Sequence, residues 1–234
     1  MANLYGVGVG PGDPDLVTYK AIQIMQKADL IICPEKEKGA GSTALEIVKK
    51  HIENRMDHVQ MMVFPMAGKK ETWEPSWKNN AEQIVKVWKD GKEIAFLTLG
   101  DPSIYSTWSY LQDYLPKELI PEWIPGIPSF CAVSARLHKD LVLGDQSLAI
   151  VPSADEESIR KALEWTDTLV VMKPKRAIVS IRQILHDEEL KGSWEMVGNC
   201  GKETEQIWKG SVEEMPEEIP YFTTMIVKTG GKNE

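Results

Sequence analysis

The chain of 234 residues has only three cysteines and four histidines, and that scarcity removes several chemistries at once. Cys33, Cys131 and Cys200 are odd in number and form no C-x-x-C pair, so they suggest neither a disulfide framework nor a zinc site; they read as small buried residues. His51, His58, His138 and His186 show no metal-like i, i+4 pairing and read as structural or solvated, so no metal site is expected. No apolar run approaches the roughly 18 residues that span a bilayer. The opening Met1-Ala2-Asn3-Leu4-Tyr5 lacks the basic stretch of a signal peptide, and a cytoplasmic protein is expected. There is no internal repeat and no low-complexity tract. A net charge of −8 argues against nucleic acid, whose recognition needs a cationic surface, but a local basic cluster can still hold an anionic small molecule.

What is present, 42% hydrophobic and 26% charged residues, suits a globular enzyme, and the length suits two domains of roughly 100 to 130 residues each. The periodicity alternates between strand and helix. Apolar runs at residues 4–10, 30–33, 59–64, 94–99 and 122–124 read as strands, and the segments between them carry apolar residues at helical spacing. Residues 65–76 read as a long Pro/Gly/Lys-rich loop, and Tyr105, Trp108, Leu111 and Leu115 as one face of a helix beginning near Ser103. The pattern restarts after residue 146 with strand, helix, strand, helix, then strands at 194–199, 205–208 and 222–228 with little helix between them. The expectation is therefore an α/β domain over residues 1–142 and a second α/β domain over 143–234 with a mixed, partly antiparallel sheet.

Three glycine turns follow strands. In Gly6-Val7-Gly8-Val9-Gly10-Pro11-Gly12 the dinucleotide pattern G-x-G-x-x-G fails in either register, and no G-K-[ST] follows for a triphosphate. The alternating glycines and the Pro-Gly turn still allow a backbone to approach a flat or bulky ligand closely, at a helix N-terminus whose N–H groups favour anions, or they make a plain tight turn. Leu99-Gly100-Asp101-Pro102 and Pro125-Gly126-Ile127-Pro128-Ser129 are the other two turns, placed where open α/β sheets bind ligands. Asp101 can accept hydrogen bonds from a ligand or cap the following helix. Lys69-Lys70 and Lys173-Pro174-Lys175-Arg176 are candidate partners for substrate carboxylates, or solvated faces. Trp73, Trp77, Trp88, Trp108 and Tyr105 can stack on a flat ligand, but at helical spacing most belong to core and at most one or two are expected to touch it.

In their order and spacing, the first glycine run through Pro14, the later Gly100-Asp101-Pro102 and the Pro-Gly-Ile turn resemble the tetrapyrrole methylase family. Gly100 to Trp108, Leu143 to Pro152 and Val170 to Lys175 resemble, more narrowly, its members that methylate C20 of precorrin-2 or cobalt-factor II in cobalamin synthesis. The resemblance spans nearly the whole chain. It implies two α/β domains with a cofactor cleft between them, S-adenosylmethionine as cofactor, a small-molecule tetrapyrrole as substrate, and a homodimer. By position it places Leu99, Gly100, Asp101 and Ile104 on the methionine side of the cofactor, Ser129 beside it, and Met172 and Gly201 near the adenosine. Gly8, Pro11, Asp13 and Lys173 fall on the substrate side, and Asp101 is the candidate for positioning in catalysis. Where relatives that methylate uroporphyrinogen have Thr-Ala or Thr-Ser after Pro-Gly-Ile, this chain has Pro128-Ser129, which argues against that substrate. Two other readings stay open: a different member of the family, acting at another ring position or as a diphthine synthase, and a non-catalytic tetrapyrrole-binding protein.

Overall fold

The computed structural model describes residues 3–65, 69–152 and 155–230. The chain divides into two compact units, Met1–Pro128 and Ser129–Glu234.

In the first unit, β1 (Leu4–Gly8), β2 (Leu30–Glu35), β3 (Val59–Val63), β4 (Ile94–Thr98) and β5 (Glu122–Ile124) form one sheet in the order β3-β2-β4-β1-β5. Every pairing is parallel. Strands buried on both faces need apolar residues at odd and even positions alike, and Leu4, Val7, Ile94, Ala95, Phe96 and Leu97 are all fully buried. Tyr5, Val7, Ala95 and Leu97 face α1 (Tyr19–Lys27) and α2 (Thr43–Val48). Leu4, Ile94 and Phe96 face α3 (Lys70–Lys89) and α4 (Thr107–Leu111). Thr18 and Ser42 cap α1 and α2 by accepting the backbone N–H groups of Ala21 and Leu45.

The second unit begins with α5 (Ser129–Leu137) and has a sheet in the order β6-β7-β10-β8-β9, built from β6 (Leu148–Pro152), β7 (Thr168–Met172), β8 (Ser193–Gly198), β9 (Gln206–Lys209) and β10 (Thr223–Lys228). Only β6 and β7 pair in parallel; β10 runs antiparallel between β7 and β8, and β9 antiparallel to β8. One face carries Leu169, Val171, Trp194, Met196, Met225 and Val227 against α6 (Glu156–Trp165) and α7 (Ile178–Asp187). The alternate residues Val170, Val197 and Ile226 are buried on the other face, where α5 packs on β10 and β8.

Several expectations are corrected. The unit boundary falls at Pro128, not at 142, because α5 contributes its apolar side to the second sheet. The loop expected over 65–76 ends early: α3 starts at Lys70 and includes Pro75, with residues 66–68 outside the described ones. Pro75 forfeits one helical hydrogen bond, which the burial of Trp77 offsets. Trp77 is fully buried, stacks edge-on to Phe64 at 4.9 Å and donates through Nε1 to the Pro65 carbonyl. The helix expected from Ser103 starts at Thr107, capped by Ser106, so Tyr105 lies outside it in a left-handed conformation at φ 45. Of the cysteines only Cys33 is buried; Cys131 lies on the exposed side of α5 and Cys200 is half-buried.

Gly6 shows how tightly the first unit is packed. A Cβ there would stand 2.2 Å from the Trp108 indole, itself fully buried against Phe96. Gly6→Ala is expected to lower the stability of the protein by about 1 to 3 kcal/mol through overpacking, measured by chemical denaturation. In a Trp108→Leu background the same substitution is expected to cost much less, since the clashing ring is gone. Burial pushes the Cys33 thiol up to about 12. Native protein at pH 8 is therefore expected to leave Cys33 unlabelled by a thiol reagent while Cys131 reacts, and Cys33 to react only after unfolding.

Candidate functional site

The chemistry-bearing loops of the first unit leave the carboxyl ends of β1, β4 and β5, which the strand order makes neighbours. From β1 the chain crosses through α1 to one side of the sheet, and from β4 it crosses through α4 to the other, so the loops diverge at the β1/β4 seam. That divergence opens the crevice where doubly wound sheets take ligands.

Glycine decides the local geometry. Gly10 and Gly100 are left-handed, at φ 81 and φ 69. Their backbones exchange reciprocal hydrogen bonds, Gly10 N–H to the Gly100 carbonyl at 3.2 Å and Gly100 N–H to the Gly10 carbonyl at 2.8 Å. Gly8 and Gly126 are glycines for a different reason. A Cβ on Gly8 would lie 2.6 Å from the Gly100 carbonyl oxygen, and one on Gly126 would lie 2.1 Å from that same oxygen. Three backbones therefore meet with no side chain between them. Only the Cα side of Gly100 is open, bordered at 4.0 Å by the Ile127 carbonyl.

Asp101 locks this junction. One carboxylate oxygen accepts the Gly126 N–H at 3.0 Å, and the other accepts the Ser103 N–H at 2.8 Å together with the Ser103 hydroxyl. The side chain thus serves loop geometry, caps a turn and begins no helix. Beneath it a buried Thr98–Ser106 hydroxyl pair at 2.8 Å ties the end of β4 to the cap of α4, a contact that sequence periodicity does not flag. Leu99 and Ile104 are half-buried beside it. Pro11 and Asp13 follow the first glycines; Asp13 accepts the Asp15 N–H and caps the short 3-10 turn Pro14–Leu16. His51 Nε2 donates to the Pro14 carbonyl at 2.8 Å, since that partner is an acceptor only, and Lys50 pairs with Asp15. Lys69 and Lys70 are exposed at the start of α3.

The second unit gathers Ser129, Met172, Lys173 and Gly201 at one edge, where β7 and β8 end and β10 begins. Lys173 N–H donates to the Thr223 carbonyl at 3.1 Å and Asn199 N–H to the Phe222 carbonyl at 2.7 Å. Both donors are non-glycine residues in the left-handed region, φ 56 and φ 51, a conformation that costs of order 1 to 3 kcal/mol and concentrates at functional sites. Burial pulls the Lys173 ammonium below its ordinary pKa. The Ser129 and Thr224 hydroxyls share a hydrogen bond at 2.9 Å, and Lys202 lies 5.2 Å from the centre of the Phe222 ring. Thr224, Glu205 and Arg136 belong to this edge and carry no signal in the sequence; Asn199 has one, its place with Gly201 in a short strand connection, where such residues favour left-handed turns.

A doubly wound parallel sheet whose loop edge is lined by glycines, followed by a mixed α/β unit with a second strained edge, defines an α/β protein of two units. The chain belongs to the Tetrapyrrole (Corrin/Porphyrin) Methylases, whose family model matches residues 3–216. It is 34% identical over 229 residues to a cobalt-precorrin-2 C(20)-methyltransferase of Salmonella typhimurium, covering 96% of this chain and 95% of that one. It is also 34% identical over 232 residues to a probable cobalt-precorrin-2 C(20)-methyltransferase of Methanocaldococcus jannaschii, covering 97% and 96%. Among solved structures it resembles uroporphyrin-III C-methyltransferase from Thermus thermophilus complexed with S-adenosyl homocysteine. There the TM-score is 0.68, the identity 20% and the coverage 97% of each chain.

Asp101→Asn puts an amide N–H group against either the Gly126 or the Ser103 N–H. Breaking that one bond is expected to cost about 1 to 3 kcal/mol in denaturant unfolding, with hydrogen-exchange protection lost at whichever of the Gly126 and Ser103 amides faces the new N–H group. Unchanged protection at both amides would mean that the carboxylate does not hold the junction.

Proposed function

We propose that this chain transfers a methyl group from S-adenosylmethionine to C20 of precorrin-2 or cobalt-factor II in cobalamin biosynthesis, with the cobalt-bearing ring as the preferred substrate. The reading rests on one observation above others: near full-length identity of 34% to two proteins named for cobalt-precorrin-2 C20 methylation. The residues present fit the cofactor. The Cα side of Gly100, a space a side chain would fill, suits the aliphatic amino-acid end of such a ligand and has the Ile127 carbonyl beside it for an ammonium group. When bound, the cofactor supplies a methyl group that is electrophilic because it sits on a sulfonium.

What the chain must then do is align and dry the site. Leu99, Gly100, Asp101 and Ile104 hold the methionine end, Asp101 by fixing the turn rather than by contact through a free oxygen. Ser129, Met172 and Gly201 take the rest of the cofactor, with Met172 and Gly201 toward the adenosine. Gly8, Pro11 and Asp13 flank the ring, and Lys173 meets a substrate carboxylate. Alignment of this kind can contribute on the order of 7 to 11 kcal/mol without a covalent nucleophile. The working form in this reading is a cytoplasmic homodimer; in the structure, no helix among the described residues is long and apolar enough to cross a membrane.

Anaerobic incubation with labelled S-adenosylmethionine and, separately, metal-free precorrin-2, cobalt-factor II and uroporphyrinogen tests the reading. Label at C20, faster with the cobalt ring and absent from uroporphyrinogen, is the expected result. Label at another carbon would move the chain to a different member of the family, and tight ring binding without transfer would make it a carrier.

A further inference from the structure

Within the second unit, the loop that joins β8 to β9 is held from the side by a group outside every motif. Glu205 stands at the end of that loop with its carboxylate mostly shielded from solvent, its side chain 16% exposed. Its Oε2 accepts the Gly201 N–H at 2.9 Å and its Oε1 accepts Arg136 Nε at 2.5 Å. Arg136 is in the last turn of α5, the helix that opens with Ser129. One carboxylate therefore connects two cofactor-side elements: the helix that carries Ser129 and the loop that carries Gly201. The loop needs such a brace because it is built from strained backbone. Asn199 and Gly201 are both left-handed, at φ 51 and φ 77. Local bonds support them, Lys202 N–H to the Asn199 carbonyl at 3.0 Å and Asn199 Nδ2 to Thr204 Oγ1 at 3.1 Å. Only Glu205 reaches the Gly201 amide itself among the bonds described. Burial pushes the Glu205 carboxyl up, but the Gly201 N–H, Arg136 and Cys200 together outweigh it and hold the group below its usual range. The charged form is thus the one the loop is built around.

We propose that Glu205, fixed by Arg136, is a positioning residue that sets the backbone of the Asn199–Gly201 loop for the adenosine part of the cofactor, so that cofactor affinity depends on a side chain that does not touch the cofactor. The inference rests on the placement of Gly201 at the adenosine. It separates Glu205 from a residue that merely stabilises the fold, because the loop's ligand-ready geometry and not the sheet is what it governs: the β8 and β9 pairing is made by the strands themselves.

The test uses S-adenosylhomocysteine binding by calorimetry and backbone amide NMR on the whole chain. In the wild type, titration is expected to shift the amides of residues 199–205; if it does not, the placement of the adenosine fails and the inference with it. Given those shifts, Glu205→Ala is expected to weaken binding on the order of tenfold, the size of one lost charge-assisted hydrogen bond, with kcat at saturating cofactor within about twofold of wild type. Arg136→Met is expected to weaken binding by a smaller factor, and the double variant to be no worse than Glu205→Ala alone, since both act through one carboxylate. Wild-type affinity in Glu205→Ala, with the 199–205 shifts intact, overturns the inference and leaves the placement standing. If Glu205→Ala does not fold, Arg136→Met decides, because Arg136 is half-exposed and its loss leaves the carboxylate in place; unchanged affinity there overturns the inference equally.

Discussion

At the junction of Gly8, Gly100 and Gly126 three stretches of backbone lie against one another with no side chain between them, and the loop edge of the first unit depends on that contact. The Gly100 carbonyl is the hub: it accepts the Gly10 N–H and occupies the space that a Cβ on Gly8 or Gly126 would need. A contact between main chains has few ways to relax, so the loops after β1, β4 and β5 cannot be displaced singly. Asp101 adds the polar half of the same constraint by holding the Gly126 and Ser103 amides. A site that works by alignment needs this rigidity before the ligand arrives, since ordering a loop at the moment of binding would be subtracted from affinity.

The second unit meets the same need with side chains. Its edge has a mixed sheet, so strand ends and a strand start share it, and the turns there are left-handed at Lys173 and Asn199, where glycine would have cost less. Side-chain bonds hold what glycine holds in the first unit: Ser129 to Thr224 and Glu205 to Gly201 and Arg136. The difference has a consequence for variation. Substitution at Gly8 or Gly126 forces backbone apart, whereas substitution at Glu205 removes one bond and leaves the sheet paired.

The strands of both units were legible because burial on both faces or on alternate faces imprints itself on the chain, and the mixed second sheet showed in its short, helix-poor ending. The glycine turns were legible as turns, and their placement after strands put them on one edge. Which glycine needed φ above zero and which needed an absent Cβ was not legible, because that depends on what stands opposite: Trp108 for Gly6, the Gly100 carbonyl for Gly126. Pro75 misled for a related reason. A proline reads as a break, but aromatic burial around Trp77 is decided by residues far along the chain. Domain assignment of α5 failed likewise, since an amphipathic helix between two sheets does not declare which one it covers. Glu205 and Arg136 left no trace at all: a surface-like acid and base 69 positions apart signal nothing until the fold joins them.

The glycine-rich start looks like a nucleotide loop, and the geometry says why it is not one. In a dinucleotide-binding turn the glycines deliver the chain directly into a helix whose free N–H groups face a pyrophosphate. Here Asp13 and the 3-10 turn Pro14–Leu16 stand between Gly12 and α1, and the Thr18 side chain already takes the Ala21 N–H at the head of that helix. An acid at position 13 and a capped helix are poor company for phosphate. The glycines serve instead to let β1 meet β4 and β5 at close range, around the buried Gly100 carbonyl. The N–H groups of Gly10, Gly100, Ser103 and Gly126 are taken up inside the junction, by the Gly100 and Gly10 carbonyls and the Asp101 carboxylate, so they are not directed at a ligand as a pyrophosphate site requires.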